Sequence, residues 1–294
     1  MHRQRFKKVK SRLILAGADG YIGKRMQKSV PDNIDMLLLS QTDSERYVHF
    51  DLLRPDRFNY DIINPGDMVV MLAGISSPDI CSSEFRRSYE INVSGTISFL
   101  TGCLTRGSRV LFFSSDTVYG KSAGINDEDF YSAEPAGEYG LMKSLVEKHF
   151  VDEQRFKAFR LSYVFSWYDR FTSYLRSCHE QKKTAEVYDP FIRRAVYIED
   201  LISSTLKLHA SWDEHENKYF NIIGPEYISR ADIAGLFIKN IGPLELRLVT
   251  PDDRFFSSRP GKIYINTKYS GKLLGREFTT IGEALISEKN KFLY

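Results

Sequence analysis

The sequence has 294 residues, of which 42% are hydrophobic and 27% charged, a composition typical of one large packed domain or a large and a small one. It excludes disordered and fibrous proteins, and no apolar run reaches the ~20 residues of a membrane span. Since the N-terminus also lacks the apolar core of a secretory signal, we expect a cytoplasmic protein without membrane insertion. Three widely spaced cysteines outside any Cys/His cluster predict reduced, buried thiols and no metal site.

The formal net charge of +3 is concentrated at the N-terminus. Residues 1–12 carry six of the 41 lysines and arginines and no acid, so the remaining chain has 35 basic against 38 acidic residues. Such an arm can contact nucleic acid or an anionic membrane surface, but no basic stripe continues into the body of the chain. We therefore interpret residues 1–12 as a flexible, solvated arm and expect no nucleic-acid partner.

The first predicted strand, residues 11–16, runs directly into a glycine-rich loop, G-A-D-G-Y-I-G at 17–23. The three glycines permit a tight turn, close approach of the backbone to a pyrophosphate, and close helix–strand packing. The N-terminus of the following helix offers unpaired N–H groups to an anion. The spacing is G-x-x-G-x-x-G, but its place between strand and helix predicts dinucleotide binding. The cofactor contacts expected in this loop are Gly17, Gly20, Tyr21, Ile22 and Gly23.

The second predicted strand, residues 34–39, ends in Ser40 and Gln41. In NAD-selective sites an acidic residue at this position takes the ribose hydroxyls. A missing carboxylate removes the repulsion that excludes a 2′-phosphate, so the sequence favours NADP(H) over NAD(H). Ser40 is then a cofactor contact, and Arg46 or Lys24 is available to the phosphate.

Two polar residues further along have open interpretations. Asp51, in a predicted strand over 48–52, either reaches an adenine amino group or caps a loop. Asn92 is polar within an apolar-periodic helix predicted from residue 89 to residue 104, so it either faces solvent or binds a partner.

Two further predicted strands, 67–74 and 109–113, end in small or hydroxyl-bearing residues. The first ends in L-A-G at 72–74, where a cofactor can lie against the backbone, and the second is followed by Ser114 and Ser115. Ligands of open α/β sheets bind beyond the carboxyl ends of parallel strands. The glycine loop and these two strand ends are therefore predicted to face one crevice.

The stretch P-A-G-E-Y-G-L-M-K at 135–143 places Tyr139 and Lys143 four residues apart. On a helix the two side chains share a face, and a nearby ammonium favours the phenolate, which makes the pair an acid–base device. Tyr264 and Lys268 have the same spacing, but only the first pair follows the strands that lead to the crevice. Tyr139 and Lys143 are therefore the predicted catalytic pair.

Together these stretches resemble the extended short-chain dehydrogenase/reductase family over nearly the whole chain. The resemblance implies an α/β fold with a Rossmann-type doubly wound parallel sheet and a smaller C-terminal α/β substrate domain. It places a cofactor domain at 13–165, to which 195–223 return, and a substrate domain at 166–194 and 224–294. The segments that carry it lie at 17–23, 51–52, 72–74, 91–96, 114–120, 135–143, 159–165, 193–201, 220–224 and 259–262.

The resemblance also implies roles for single residues. Tyr139 is the proton donor or acceptor, Lys143 binds the nicotinamide ribose and lowers the tyrosine pKa, Ser115 hydrogen-bonds the reacting oxygen, and Asn92 supports the site or a relay water. Arg193 and Arg259 either clasp a nucleotide diphosphate or are ordinary surface charges. The further cofactor contacts implied are Asp51, Leu52, Leu72, Ala73, Gly74, Ser114 and Leu161. The substrate contacts implied are Ser76, Ser115, Asp116, Arg193 and Arg259.

The implied activity is reduction of a nucleotide-linked 4-keto-(6-deoxy)sugar with NAD(P)H, in surface polysaccharide biosynthesis. The run A-G-I-S-S-P-D at 73–79 is similar to the dTDP-4-dehydrorhamnose reductase group. A 4,6-dehydratase is disfavoured, because Thr117 stands where those enzymes carry a glutamate. A nucleotide-sugar 4-epimerase remains the alternative, since it uses the same catalytic set. A non-catalytic dinucleotide sensor would have lost the tyrosine or the lysine. A homodimer is compatible with the resemblance.

Overall fold

Short apolar segments form a central parallel sheet in the structure, a computed structural model that describes residues 12–120, 124–129 and 134–292. The strands of the described residues are β1 Leu13–Ala16, β2 Met36–Ser40, β3 Val48–His49, β4 Met68–Met71, β5 Arg109–Ser115, β6 Phe156–Leu161, β7 Val164–Phe165, β8 Ala185–Tyr188, β9 Ile192–Arg193, β10 Val196–Tyr197, β11 Tyr219–Ile222, β12 Ile228–Ser229 and β13 Leu246–Val249. Seven of them form the central sheet in the order β11-β6-β5-β4-β1-β2-β3, and every neighbouring pair is parallel.

Helices cover both faces of this sheet. The α-helices are α1 Tyr21–Ser29, α2 Pro78–Ser83, α3 Phe85–Tyr89, α4 Thr96–Thr105, α5 Gly137–His149, α6 Arg170–Glu180, α7 Ile198–Ser211, α8 Arg230–Asn240, α9 Asp253–Ser258, α10 Ser270–Leu274 and α11 Ile281–Phe292. Alternate residues of β1 enter different cores, because side chains of a strand point to opposite faces. Leu13 and Leu15 pack with α1 and α7, while Ile14 and Ala16 pack with α4 and the end of α5. The α/β fold with a doubly wound parallel sheet is therefore confirmed.

The helix predicted from residue 89 to residue 104 is interrupted by the π-helical segment Glu90–Gly95 between α3 and α4. At Gly95 an added Cβ would lie 1.9 Å from the Leu52 carbonyl oxygen, so only glycine allows this close approach. The extra residue in this turn changes which side chains face the sheet, and Asn92 is buried.

The second half of the chain adds short strand pairs beside the large sheet. β7 pairs with β10, β9 with β12, and β8 with β13. The strand β11 lies in the large sheet next to β6. The division of the chain into a cofactor domain and a substrate domain stays a prediction.

Of the predicted basic arm, only Arg12 falls within the described residues. Its guanidinium bonds the Asp67 carboxylate at 2.7 Å and the Ile62 carbonyl at 2.7 Å, so Arg12 is fixed to the end of the sheet. The rest of the arm, residues 1–11, lies outside the described residues.

Two further observations concern the part of the chain that the structure describes. None of its helices is both long and apolar enough to cross a membrane. The predicted buried, unbridged thiols are confirmed, since Cys81, Cys103 and Cys178 are all buried and free.

Candidate active site

A cavity of about 670 Å³ opens at the carboxyl ends of β1, β4 and β5. Most of the residues predicted for cofactor, catalysis and substrate line it. They are Gly17, Gly20, Tyr21, Ile22, Gly23, Leu72, Ala73, Gly74, Ser76, Ser114, Ser115, Asp116, Tyr139, Lys143, Leu161, Arg193 and Arg259. The predicted residues that do not line it are Ser40, Asp51, Leu52 and Asn92.

The glycine loop forms a cradle between β1 and α1. Gly17 has φ +98°, and an added Cβ there would lie 2.7 Å from the Ala73 backbone nitrogen. An added Cβ at Gly23 would lie 2.5 Å from the Gly17 carbonyl oxygen. Gly20 caps α1 without a side-chain hydrogen bond, and the first turn from Tyr21 onward has no acidic residue in the sequence. Uncapped N–H groups beside a backbone cradle fit the pyrophosphate of a dinucleotide.

Tyr139 and Lys143 lie one turn apart on α5, half-buried in the cavity wall. Lys143 Nζ donates a hydrogen bond of 2.7 Å to the Phe113 carbonyl at the end of β5, and it lies 5.7 Å from the centre of the Tyr139 ring. Burial lowers the pKa of Lys143 to about 8. At neutral pH the lysine is therefore still mainly an ammonium.

The pKa of Tyr139 moves against the expectation from the resemblance. Burial, with smaller contributions from Cys81 and Asp116, raises the pKa of the phenol above its ordinary value. This shift is opposite in direction to the lowering that the resemblance attributes to Lys143, and its largest cause is desolvation of the phenolate. Tyr139 holds its proton at neutral pH, which suits a proton donor.

Ser115 ends β5 and is held by its neighbours. The backbone N–H and the hydroxyl of Thr117 donate to Ser115 Oγ at 3.2 and 2.9 Å, and Ser115 Oγ donates to Asp116 Oδ1 at 3.3 Å. Burial raises the pKa of the Asp116 carboxyl, and Asp116 Oδ2 lies 3.9 Å from Arg193 Nε. These contacts fix the serine oxygen at the carboxyl end of β5, in the cavity that Tyr139 also lines.

Asn92 acts on the cavity through the loop that follows β4. Its side-chain oxygen accepts a hydrogen bond of 2.8 Å from the Ile75 N–H, and its amide donates to the Ile75 carbonyl at 2.9 Å. Gly74, with φ +145°, leaves room for this amide, since an added Cβ would lie 2.9 Å from it. Of the two interpretations, Asn92 therefore binds a partner, and that partner forms the cavity wall.

Three predicted cofactor contacts lie apart from the cavity. Ser40 Oγ accepts a hydrogen bond of 2.9 Å from the Thr42 N–H. Asp51 Oδ1 accepts one of 2.9 Å from the Leu53 N–H, which is the loop cap that one interpretation expected. Leu52 is buried beside Gly95. Their contacts with the adenosine end of a cofactor stay predictions.

Arginines form the far wall of the cavity. The guanidinium of Arg193 donates to the carbonyls of Ile192 and Pro260 at 2.7 Å each, and Arg259 binds Asp79 through two hydrogen bonds of 2.6 Å. Arg170 and Arg230, which were not among the predicted residues, also line the cavity. Neither lies in a recognisable motif, so no sequence signal singled them out.

Arg230 lies among aromatic and charged groups. Its guanidinium carbon is 5.2 Å from the Phe171 ring centre and 4.8 Å from that of Phe191. Burial lowers its pKa, Tyr163 and Asp169 oppose that shift, and nearby Arg259 adds a smaller lowering. Several guanidinium groups lining one cavity form a suitable site for a polyanion.

The second tyrosine–lysine pair lies away from this cavity. Lys268 Nζ makes ion pairs with Asp127 at 2.9 Å and Asp129 at 2.7 Å, and their hydrogen bonds raise its pKa. Tyr264 is 39% exposed.

Comparison with known proteins gives a family and two kinds of relative. A model described as the NAD dependent epimerase/dehydratase family matches residues 13–222. A dTDP-4-dehydrorhamnose reductase from Mycobacterium tuberculosis is 28% identical over 125 residues, which are 42% of this chain and 36% of that protein. The match thus spans about a third of the curated relative.

Solved structures agree in fold at low identity. A dTDP-4-dehydrorhamnose reductase from Bacillus anthracis in complex with NADP superposes with a TM-score of 0.81, at 20% identity and over 96% of this chain and 100% of that one. A UDP-glucuronic acid 4-epimerase from Bacillus cereus in complex with UDP-glucuronic acid and NAD gives 0.78, at 18% identity and over 96% and 100%.

Proposed function

The chain belongs to the NAD dependent epimerase/dehydratase family, and on that premise we propose that it reduces a nucleotide-linked 4-keto-(6-deoxy)sugar with a nicotinamide dinucleotide. The observation that supports the proposal is the set of groups that share a cavity with Tyr139. A protonated phenol, a fixed serine hydroxyl at Ser115 and the ammonium of Lys143 share one cavity with an uncapped glycine cradle.

The glycine loop would hold a nicotinamide dinucleotide, which would supply the hydride for the carbonyl carbon of the substrate. Tyr139 gives its phenolic proton to the carbonyl oxygen, so that the ketone becomes a secondary alcohol. The Ser115 hydroxyl binds the same oxygen, and its position is set by the two hydrogen bonds from Thr117. Lys143 stabilises the tyrosinate left behind, because its ammonium lies on the same helix face.

The glycine cradle, the catalytic residues and the arginines all line the same cavity. The glycine loop suits a pyrophosphate, whereas Arg193, Arg230 and Arg259 suit the diphosphate of a sugar nucleotide. This arrangement supports a substrate that carries its own phosphates. Arg259 would have to release its hydrogen bonds to Asp79 in order to bind the diphosphate.

Thr117 supports the choice against water elimination. Its hydroxyl donates to Ser115 at 2.9 Å, so the position that a dehydratase gives to a carboxylate base holds a hydrogen-bond donor. Reduction and 4-epimerisation use the same remaining residues, and a homodimer stays a prediction.

The test is to incubate the protein with a nucleotide-linked 4-keto-6-deoxy sugar and either NADH or NADPH, while following the absorbance of the reduced nicotinamide. Consumption of one cofactor per product molecule supports the reductase. A parallel incubation with a 4-hydroxy sugar nucleotide and NAD⁺ tests the alternative, and conversion to the C4 epimer without net formation of reduced cofactor replaces the proposal by the epimerase. No reaction with keto-sugar or hydroxy-sugar nucleotides contradicts both.

A further inference from the structure

One acidic side chain of the glycine loop, Asp19, lies at the end of β2. The Thr42 hydroxyl, just past that strand, donates a hydrogen bond of 2.6 Å to Asp19 Oδ2. The backbone N–H groups of Gly17 and Ala18 both donate to the Leu39 carbonyl, at 3.0 and 2.9 Å. The loop and the strand end are thereby tied together. This is the place where a Rossmann-type sheet receives the adenosine ribose of a dinucleotide.

The Asp19 carboxylate is charged in this setting. Partial burial opposes its ionisation, but hydrogen bonds from Thr42 and Ser40 outweigh that effect and lower the pKa of the carboxyl below its ordinary value. Lys24 is a nearby cation that acts in the same direction. The predicted preference for NADP(H) rests on Ser40 and Gln41 at the end of β2, neither of which carries a negative charge.

A fixed carboxylate discriminates between the two forms of the cofactor. It accepts hydrogen bonds from the free ribose hydroxyls of NAD(H), as the acidic residue at the end of β2 does in other dinucleotide sites. The 2′-phosphate of NADP(H) offers negative charge at the same place, and like charges brought together weaken binding. Lys24 offsets this repulsion only in part, because it already interacts with Asp19.

We propose that Asp19 replaces the missing acid of β2, so that the cofactor site selects NAD(H) over NADP(H). This inference rests on the proposed function, and it reverses the preference for NADP(H) that Ser40 and Gln41 predict. Asp19 is a specificity-determining residue that takes no part in the chemistry at Tyr139.

The experiment measures dissociation constants of NADH and NADPH for the full chain, from the fluorescence of the reduced nicotinamide. We expect the wild-type protein to bind NADH at least about tenfold more tightly than NADPH, as a like-charge contact dictates. Asp19→Asn keeps an acceptor for Thr42 but removes the charge, so NADPH binding tightens and the ratio falls toward one. Asp32→Asn is the matched control, because this exposed carboxylate precedes β2, at the end of the strand away from Thr42, and should leave the ratio unchanged.

The dependence of the NADH/NADPH affinity ratio on salt concentration separates a charge effect of Asp19 from a purely structural role. Screening weakens a charge repulsion, so the wild-type preference should shrink as salt rises, and that dependence should vanish in Asp19→Asn. Wild-type protein that binds NADPH as tightly as NADH overturns the inference, and so does an unchanged ratio in Asp19→Asn.

The same titrations separate this inference from the proposed function. Turnover of the keto-sugar nucleotide with an NADPH preference contradicts the role of Asp19 alone. The predicted NADH preference without any turnover supports Asp19 and contradicts the proposed substrate. If neither dinucleotide binds, both proposals fail.

Discussion

Tyr139–Lys143 and Tyr264–Lys268 have the same spacing and opposite surroundings. The first pair lies on α5, where burial lowers the pKa of Lys143 and the lysine donates to a strand carbonyl. The second pair precedes α10 in an irregular segment, where two aspartates hold Lys268 and raise its pKa. The spacing therefore places two side chains on one face only when a helix spans both.

The two lysines also differ in what balances their charge. Lys268 has carboxylate partners in solvent, so its ammonium is stabilised and its role is local. Lys143 has a carbonyl and an aromatic face, 4.5 Å from the Phe112 ring centre, so part of its charge stays available to a reacting group. Matched substitutions in the two pairs test whether only Tyr139 and Lys143 act in catalysis.

The largest effect is expected from Tyr139→Phe. It removes the donated proton and should lower kcat about 10³-fold, within the range that general acids contribute. Cofactor binding should persist, since the ring remains. Tyr264→Phe, the same change in the other pair, should leave kcat as it was. Steady-state kinetics with a keto-sugar nucleotide decides the matter, and more than a tenth of wild-type turnover in Tyr139→Phe would remove the tyrosine from the mechanism.

The next largest effect is expected on stability, from the ion pairs that hold each tyrosine–lysine segment in place. Glu147, on α5, pairs with Arg160 at 2.7 Å, and both side chains are almost fully buried. Glu147→Gln leaves the buried guanidinium uncompensated and should lower the free energy of unfolding by about 3 kcal/mol. Asp129→Asn, at the exposed Lys268, should leave it unchanged. Urea denaturation measures the free energy of unfolding of both variants. Equal losses would show that the buried and the exposed ion pair contribute alike to stability.

Lys143→Met should lower kcat by about 10²-fold, as the loss of one fixed electrostatic contact to the transition state does. Lys268→Met is the control and should keep full activity. Thermal denaturation should find both variants folded. A Lys143→Met enzyme with wild-type kcat would mean that the ammonium contributes only to packing.

The smallest effect is a pH dependence. The pKa of Lys143 is lowered to about 8, so kcat/KM should fall above pH 8 as the ammonium loses its proton, by about tenfold at pH 9. The sign for stability is opposite: between pH 8 and the ordinary pKa of 10.5 the unfolded chain binds the extra proton, so this group makes the free energy of unfolding rise with pH. Lys268→Met should show the same pH profile as wild type, and a flat profile up to pH 10 would contradict the lowered pKa.

Much of the fold was predictable because its strands are short apolar runs. Residues 13–16 and 68–71 lie within the segments predicted from sequence, and the glycine loop follows the first of them. The π-helical segment was not predictable, because its extra residue depends on how Gly95 passes Leu52. Local apolar periodicity carries no sign of such a contact.

The site shows the same limit. Ser115 and Tyr139 belong to local motifs, and the structure brings them to one cavity. The rise in the Tyr139 pKa depends on its burial, which the spacing to Lys143 does not reveal. The position of Asp19 depends on Thr42, which lies just past the end of β2. Roles set by tertiary contacts are therefore the ones that sequence reasoning missed.

The order of strands in the large sheet has a consequence for the newly made chain. β6 ends at Leu161, but its outer neighbour β11 begins only at Tyr219. At typical rates of translation, these roughly 60 residues take about 3–12 s to synthesise. During that interval β6 has β5 on one side but no strand on the other, and its unpaired backbone groups on that side are a template for pairing with other chains.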